Sequence, residues 1–171
     1  MPDELAALRL HCAARLAALC DAIRSIPADL KPCSRSQVQA VREQIYYEWE
    51  RRLATARGAV YIAGKYEVDG WWSVDAAALV NSGQFQPRTR VLEREHVEPV
   101  SKVVWDLLAV QRTPEETADL LDARLLTCTV LAEEHRLLRA GEGWGRYEAA
   151  AVSIQRGLDG TPEGTWPMGS T

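Results

Sequence analysis

The stretch Val91–Leu108, VLEREHVEPVSKVVWDLL, decides how this chain is read. Val91 and Leu92 lead an apolar, strand-like run that ends on Glu95 and His96. Pro99 can take the first position of a helix, where its missing N–H costs nothing. Val100, Val103, Val104, Leu107 and Leu108 then recur at helical spacing. A second stretch, Leu125–Leu138, LLTCTVLAEEHRLL, makes the same passage from strand to helix. Leu125 to Leu131 is apolar and partly β-branched, which predicts a buried strand, and Ala132-Glu133-Glu134-His135 opens a helix. The chain has three histidines, His11, His96 and His135. Two of them sit at these transitions, each beside a glutamate.

Outward from this centre, the N-terminal part reads as helix. Leu5, Leu8, Cys12, Leu16, Leu19, Ile23 and Ile26 recur at three- and four-residue steps, which predicts a helix over 3–26 closed by Pro27. Pro32 to Ser36 read as a linker, with Ser34 or Ser36 as the next cap. The following helix reaches about Arg57, with Val38, Val41, Ile45, Trp49, Leu53 and Ala56 on its apolar face and Gly58 just past its end. Two such helices joined by a short turn predict an antiparallel hairpin over 1–58. The alanine-rich stripe of the first helix is also a surface on which two copies would pair as a homodimer.

The rest mixes strand and helix signals. AVYIAGKYEV, residues 59–68, reads as a strand interrupted by Gly64, and Asp69-Gly70 as a turn. Ser73 can cap a short helix that ends near Gly83. Thr113-Pro114-Glu115-Glu116 joins an N-cap, an N1 proline and acidic first-turn residues, so a helix runs from there to about Arg124. Trp144 to Gln155 reads as a last helix, beyond breaks at Gly141 and Gly143. Residues 157–171 read as a flexible tail. The class is therefore α+β, predominantly α. A helical hairpin over 1–58 precedes a small ββα-like core over 59–156, which carries an inserted helical segment at about 100–124.

Composition narrows the field. The 171 residues carry a net charge of −4, which disfavours a general polyanion binder. The charge is uneven: residues 31–102 hold 11 basic and 9 acidic side chains, residues 103–171 hold 6 and 11. A polyanion would meet the middle of the chain. Cys12, Cys20, Cys33 and Cys128 form no C-x-x-C pair, which argues against a zinc ribbon. No run of about 18 apolar residues crosses a membrane, and the acidic N-terminus lacks a secretory signal, so the expected location is cytoplasmic.

The two histidine-bearing stretches resemble the ββα-metal, or HNH-type, nucleases. In that family an acidic-His pair on a first strand precedes a second strand and a helix that supplies a further histidine. The resemblance covers residues 89–140 and is of a phage or bacterial kind. It implies His96 as general base, Glu95 and His135 as metal ligands, and Glu134 as a further ligand or partner. The ion would be Mg²⁺, Mn²⁺ or Zn²⁺, and a neutral imidazole would take the proton from the attacking water. Arg88, Arg90 and Arg94 supply positive charge for a nucleic-acid backbone. The 39 residues from His96 to His135 require the inserted helices. The family's middle-segment asparagine has no counterpart, since Asn81 lies before the first motif.

Two functions follow from this resemblance. One is a metal-dependent endonuclease that acts on phosphodiester bonds of DNA. The alternative is a degenerate, non-catalytic form: a phage-encoded inhibitor or binding protein that docks on a nucleoprotein (defence) complex. The aromatic middle, with Tyr46, Tyr47, Tyr61, Tyr66, Trp71, Trp72 and Phe85, reads as core packing, or else as a stacking platform for bases or a protein-binding surface.

Overall fold

The structure, a computed structural model, describes residues 2–30, 33–138 and 143–160. The chain opens with α1 (Pro2–Ser25) and α2 (Ser34–Gln44), which widens into a π-helical segment (Ile45–Leu53) and ends in the turn α3 (Ala54–Ala56). Then come β1 (Tyr61–Ile62), β2 (Tyr66–Glu67), β3 (Trp71–Ser73), α4 (Val74–Asn81) and β4 (Leu92–His96). Two helices follow, α5 (Val100–Ala109) and α6 (Pro114–Arg124), and then β5 (Thr127–Leu131), α7 (Ala132–Leu137), α8 (Gly145–Ala149) and β6 (Ile154–Arg156). The protein is thus predominantly helical with a small mixed sheet, as the sequence predicts. No helix among the described residues is long and apolar enough to cross a membrane.

The chain divides into two compact units, Met1–Gly58 with Pro99–Leu125, and Ala59–Glu98 with Leu126–Thr171. In the first unit, α5 and α6 pack with the N-terminal helices. Cys12, Leu16, Cys20, Val41, Ile45, Trp49, Val103, Val104, Leu107 and Leu121 share one core. The helix that begins at Ser34 is capped differently from the reading. Cys33 holds the N-cap position without a side-chain cap bond, and the Ser36 hydroxyl instead lies 3.2 Å from the Cys33 sulfur. At α6, Thr113 and Glu116 form the reciprocal capping box that the sequence signals.

The π-helical segment has a cause in the sequence. Val41, Ile45, Trp49 and Leu53 recur every four residues and all are buried. In an α-helix each four-residue step overshoots a full turn by ~40°, so the stripe would drift off the core. Widening the helix keeps it facing inward, and it also turns Glu48 inward at 7% exposure. Arg15 and Arg52 hold its two oxygens at 2.5 and 2.9 Å, and the Cys12 thiol donates to it at 3.7 Å.

The second unit is built on a sheet of order β4-β5-β3-β6, with β5 and β3 parallel and the outer pairs antiparallel. Trp71 and Trp72, which carried no strand signal, lie in β3, one of its two interior strands. Side chains alternate across the sheet. Trp71 therefore faces the side that carries Cys128, Val130, Ile154, Trp144 and Tyr147, and Trp72 the side that carries Leu92, Ala76, Ala77 and Tyr66. Trp72 Nε1 donates to the Glu67 carbonyl at 2.9 Å, and the Tyr66 hydroxyl donates to that of Leu92 at 2.7 Å. These two bonds hold the small antiparallel hairpin β1–β2 against the second face. Ser73 caps α4 by accepting from the Ala76 N–H at 3.1 Å, as its position predicts.

The C-terminal end departs from the reading. The helix expected over 144–155 stops at Ala149, Ala151 takes a left-handed φ of 55°, and Ile154–Arg156 returns as β6. Burial of Ile154 beside Ser73 in the register of β3 outweighs the helix propensity of the alanines. The expected tail from 157 also begins later. The Gly157 N–H donates to Gly70 and the Leu158 N–H to Val68, at 2.8 and 3.1 Å, and Leu158 is buried. Residues 161–171, like the linker residues 31–32 and the break at Gly141, lie outside the described residues.

Glu48 makes the first unit sensitive to acid. Burial works to raise its carboxyl pKa, but Arg52 and Arg15 outweigh it and hold it below its ordinary value. A depressed folded-state pKa contributes stability that is present above the unfolded value of about 4.3 and is lost as pH falls through the folded one. Thermal midpoints measured against pH should therefore fall on acidification below about 5, and Glu48→Gln should flatten that slope.

Candidate functional site

The register of β4 on β5 fixes where the motif's side chains go. The pairs run without interruption from Leu92↔Leu131 to His96↔Thr127, and the Val97 N–H extends the ladder to the Leu126 carbonyl at 2.9 Å. Glu95 lies opposite Cys128, and Val97 is buried in the same core as Cys128. With both of its neighbours on the Cys128 face, His96 points to the other face, as Arg94 does. Two adjacent residues on one strand cannot serve one side of a sheet.

Glu95 sits at the centre of a polar group on the Cys128 face. Its Oε1 lies 2.6 Å from Arg146 Nη1, and its Oε2 lies 3.3 Å from His135 Nε2. The side chains of Arg146 and Glu95 are only 7% and 13% exposed, and that of His135 is 42% exposed. Arg146 also donates to the carbonyls of His96 and Leu138 at 2.7 and 3.2 Å. Its guanidinium lies 5.4 Å from the Tyr147 ring. One buried cation thus neutralises Glu95 and ties the end of β4 to the end of α7. Burial pushes the Cys128 thiol and the Tyr147 hydroxyl far above their ordinary pKa values, so neither is a ready nucleophile or base at neutral pH.

Glu134 is engaged elsewhere. Its Oε2 accepts from the Ser73 hydroxyl at 2.5 Å and from the Leu131 N–H at 2.7 Å. These bonds fasten α7 to β3 and to the end of β5. Burial raises its carboxyl pKa, with Asp75 and Glu133 adding to the rise, against the lowering by those two bonds. Arg88 and Arg90 are exposed in the loop before β4, while Arg94 is half-buried on the His96 face.

Of the four residues that the nuclease resemblance implies, the fold brings Glu95 and His135 together. Two ligands of one tetrahedral ion lie ~3.4 Å apart at ordinary zinc distances, so that pair has the right separation. The wider donor set does not fit. Glu134 is bonded to Ser73, His96 faces away, and Arg146 already supplies positive charge to Glu95. Among the described residues no group of three or more His, Cys, Asp and Glu side chains stands ready to hold a metal ion. The residue the sequence reading missed is Arg146. Its signal was an arginine between Trp144 and Tyr147, aromatic residues that belong to a core. The chain matches no protein-family model, no curated protein and no solved structure.

Removing one partner of a buried ion pair strands the other charge. Arg146→Met should cost about 3–5 kcal/mol in urea unfolding, and the double variant Glu95→Leu/Arg146→Met should recover most of that loss. If the double variant is as unstable as the single one, the two side chains are not coupled.

Proposed function

We propose that the chain is a non-catalytic binding protein whose ββα-like centre serves as scaffold, and that it docks on a nucleoprotein complex. The observation that carries this reading is the buried contact of Arg146 with Glu95 at 2.6 Å. A guanidinium there meets Oε1 of the carboxylate that a nuclease would offer to its ion, while among the described residues Oε2 has no hydrogen-bond partner. The opposite facing of Glu95 and His96 supports the same reading, because a general base must reach the water that the ion activates.

Support for docking comes from the helical unit. Tyr46 and Tyr47 are 41% and 65% exposed on the π-helical segment. Their rings meet edge to face at 5.2 Å, and Arg51 lies 5.8 Å from the Tyr46 ring centre. Exposed tyrosine with arginine is the composition of interface hot spots and of platforms on which bases stack.

The second reading, a metal-dependent endonuclease of DNA, is favoured by one observation. The order β4, β5, α7 is a ββα arrangement, and it sets His135 Nε2 3.3 Å from Glu95 Oε2.

One pair of assays separates the two. With Mg²⁺, Mn²⁺ or Ni²⁺, plasmid and single-stranded substrates should stay intact. In fluorescence anisotropy a labelled single strand should bind, more weakly with Tyr47→Ala or Arg51→Ala and unchanged with His96→Ala or His135→Ala. Cleavage by the wild type that disappears in His135→Ala would replace the binding reading with the nuclease one.

A further inference from the structure

The second unit also carries a cleft apart from the Glu95–His135 pair. β3 and β5 are parallel neighbours, and each is followed directly by a helix. α4 packs on the Trp72 face through Ala76 and Ala77, whereas Leu138 at the end of α7 packs on the Cys128 face. The chain therefore leaves the two strands toward opposite sides of the sheet. A crevice outside the carboxyl ends of two such strands is where open sheets with parallel strands hold ligands. Here that crevice has a volume of about 650 Å³, within the range of small-molecule sites.

Its lining combines half-buried apolar side chains with exposed charged ones. The half-buried Leu79 and Leu131 and the exposed Asp75, Glu133, Arg90 and Arg136 all line it. All four charged side chains are exposed, and none makes a hydrogen bond or ion pair with another described residue. Asp75 and Glu133 stand in the first turns of α4 and α7 and line the same cleft. Arg90 comes to the same edge by register, because the Ala132 N–H donates to the Val91 carbonyl at 2.8 Å.

The four charges cancel. A polyanion would gain from the two arginines and lose to the two carboxylates, whereas a ligand with both charges gains from all four. Among the described residues no aromatic ring lines the cleft, so none of them stacks a nucleobase there. We propose that the cleft binds a small zwitterion with an apolar body, with its carboxylate on Arg90 and Arg136 and its ammonium on Asp75 and Glu133. A free amino acid and the ends of a short peptide share this chemistry.

The test follows the backbone amide signals of the intact chain by NMR. The probes are leucine, Leu-Leu and Leu-Leu-Leu, the N-acetyl and C-amide forms of the dipeptide, and adenosine monophosphate. At least one free zwitterion should shift the signals of residues 75–79 and 131–136, and the lengths that do so distinguish amino acid from peptide. Blocking either end should weaken binding about tenfold or more, the loss expected for a charge-assisted contact. Arg90→Gln with Arg136→Gln should abolish the preference for a free carboxylate. Asp75→Asn with Glu133→Gln should abolish that for a free amine. All four positions are exposed, and circular dichroism checks that the variants fold. The proposal is overturned if blocked and free peptides bind alike, if adenosine monophosphate binds instead, or if no zwitterion shifts these signals at millimolar concentration.

Discussion

The buried contact between Glu95 and Arg146 is the interaction on which the arrangement of the candidate site depends. A carboxylate that is 13% exposed on a sheet face is costly to bury without a cation beside it. Arg146 provides that cation from α8 and donates two further N–H groups to the carbonyls of His96 and Leu138. The same guanidinium thereby fixes the last turn of the strand, the end of the neighbouring helix and the charge of the carboxylate. A metal ion would have to compete with it for Glu95.

Around that contact, the register of β4 and β5 decides what the motif can do. It sets Glu95 and His96 on opposite faces, so their adjacency in sequence separates them in space. His135 reaches Glu95 because α7 starts directly after β5 and crosses the Cys128 face. Ser73 does two jobs in this frame, capping α4 through its acceptor lone pair and donating its proton to Glu134. Strand β3, both helices that follow the parallel pair, and the cleft outside them are thus tied together by a few short polar contacts.

Much of this was legible in the sequence where a local signal had a local cause. The capping box at Thr113 and the Ser73 cap follow from side chains that satisfy free N–H groups at helix starts. The strand ending at Leu131 follows from an apolar, partly β-branched run. The pairing of Glu95 with His135 followed from the repeated strand-to-helix passage. What escaped depended on partners distant in the chain. Trp71 and Trp72 form a strand too short for any period, made by β5 and β6 on either side. Ile154–Arg156 is a strand only because β3 offers an edge, against a helix-favouring run of alanines. The widening of the helix at Ile45 was present as a four-residue spacing, but three- and four-residue steps were read as one pattern. Arg146 gave only the oddity of a charge among core aromatics, and its partner lies 51 residues earlier in the chain.

The central claim is that Arg146, and not a divalent ion, neutralises Glu95. Paramagnetic broadening tests it most directly: Mn²⁺ is titrated into the protein while the imidazole signals of His135 and His96 are followed by NMR. The account predicts that both histidines broaden no more than exposed His11. Selective loss of the His135 signal at low Mn²⁺, restored by magnesium, would contradict it.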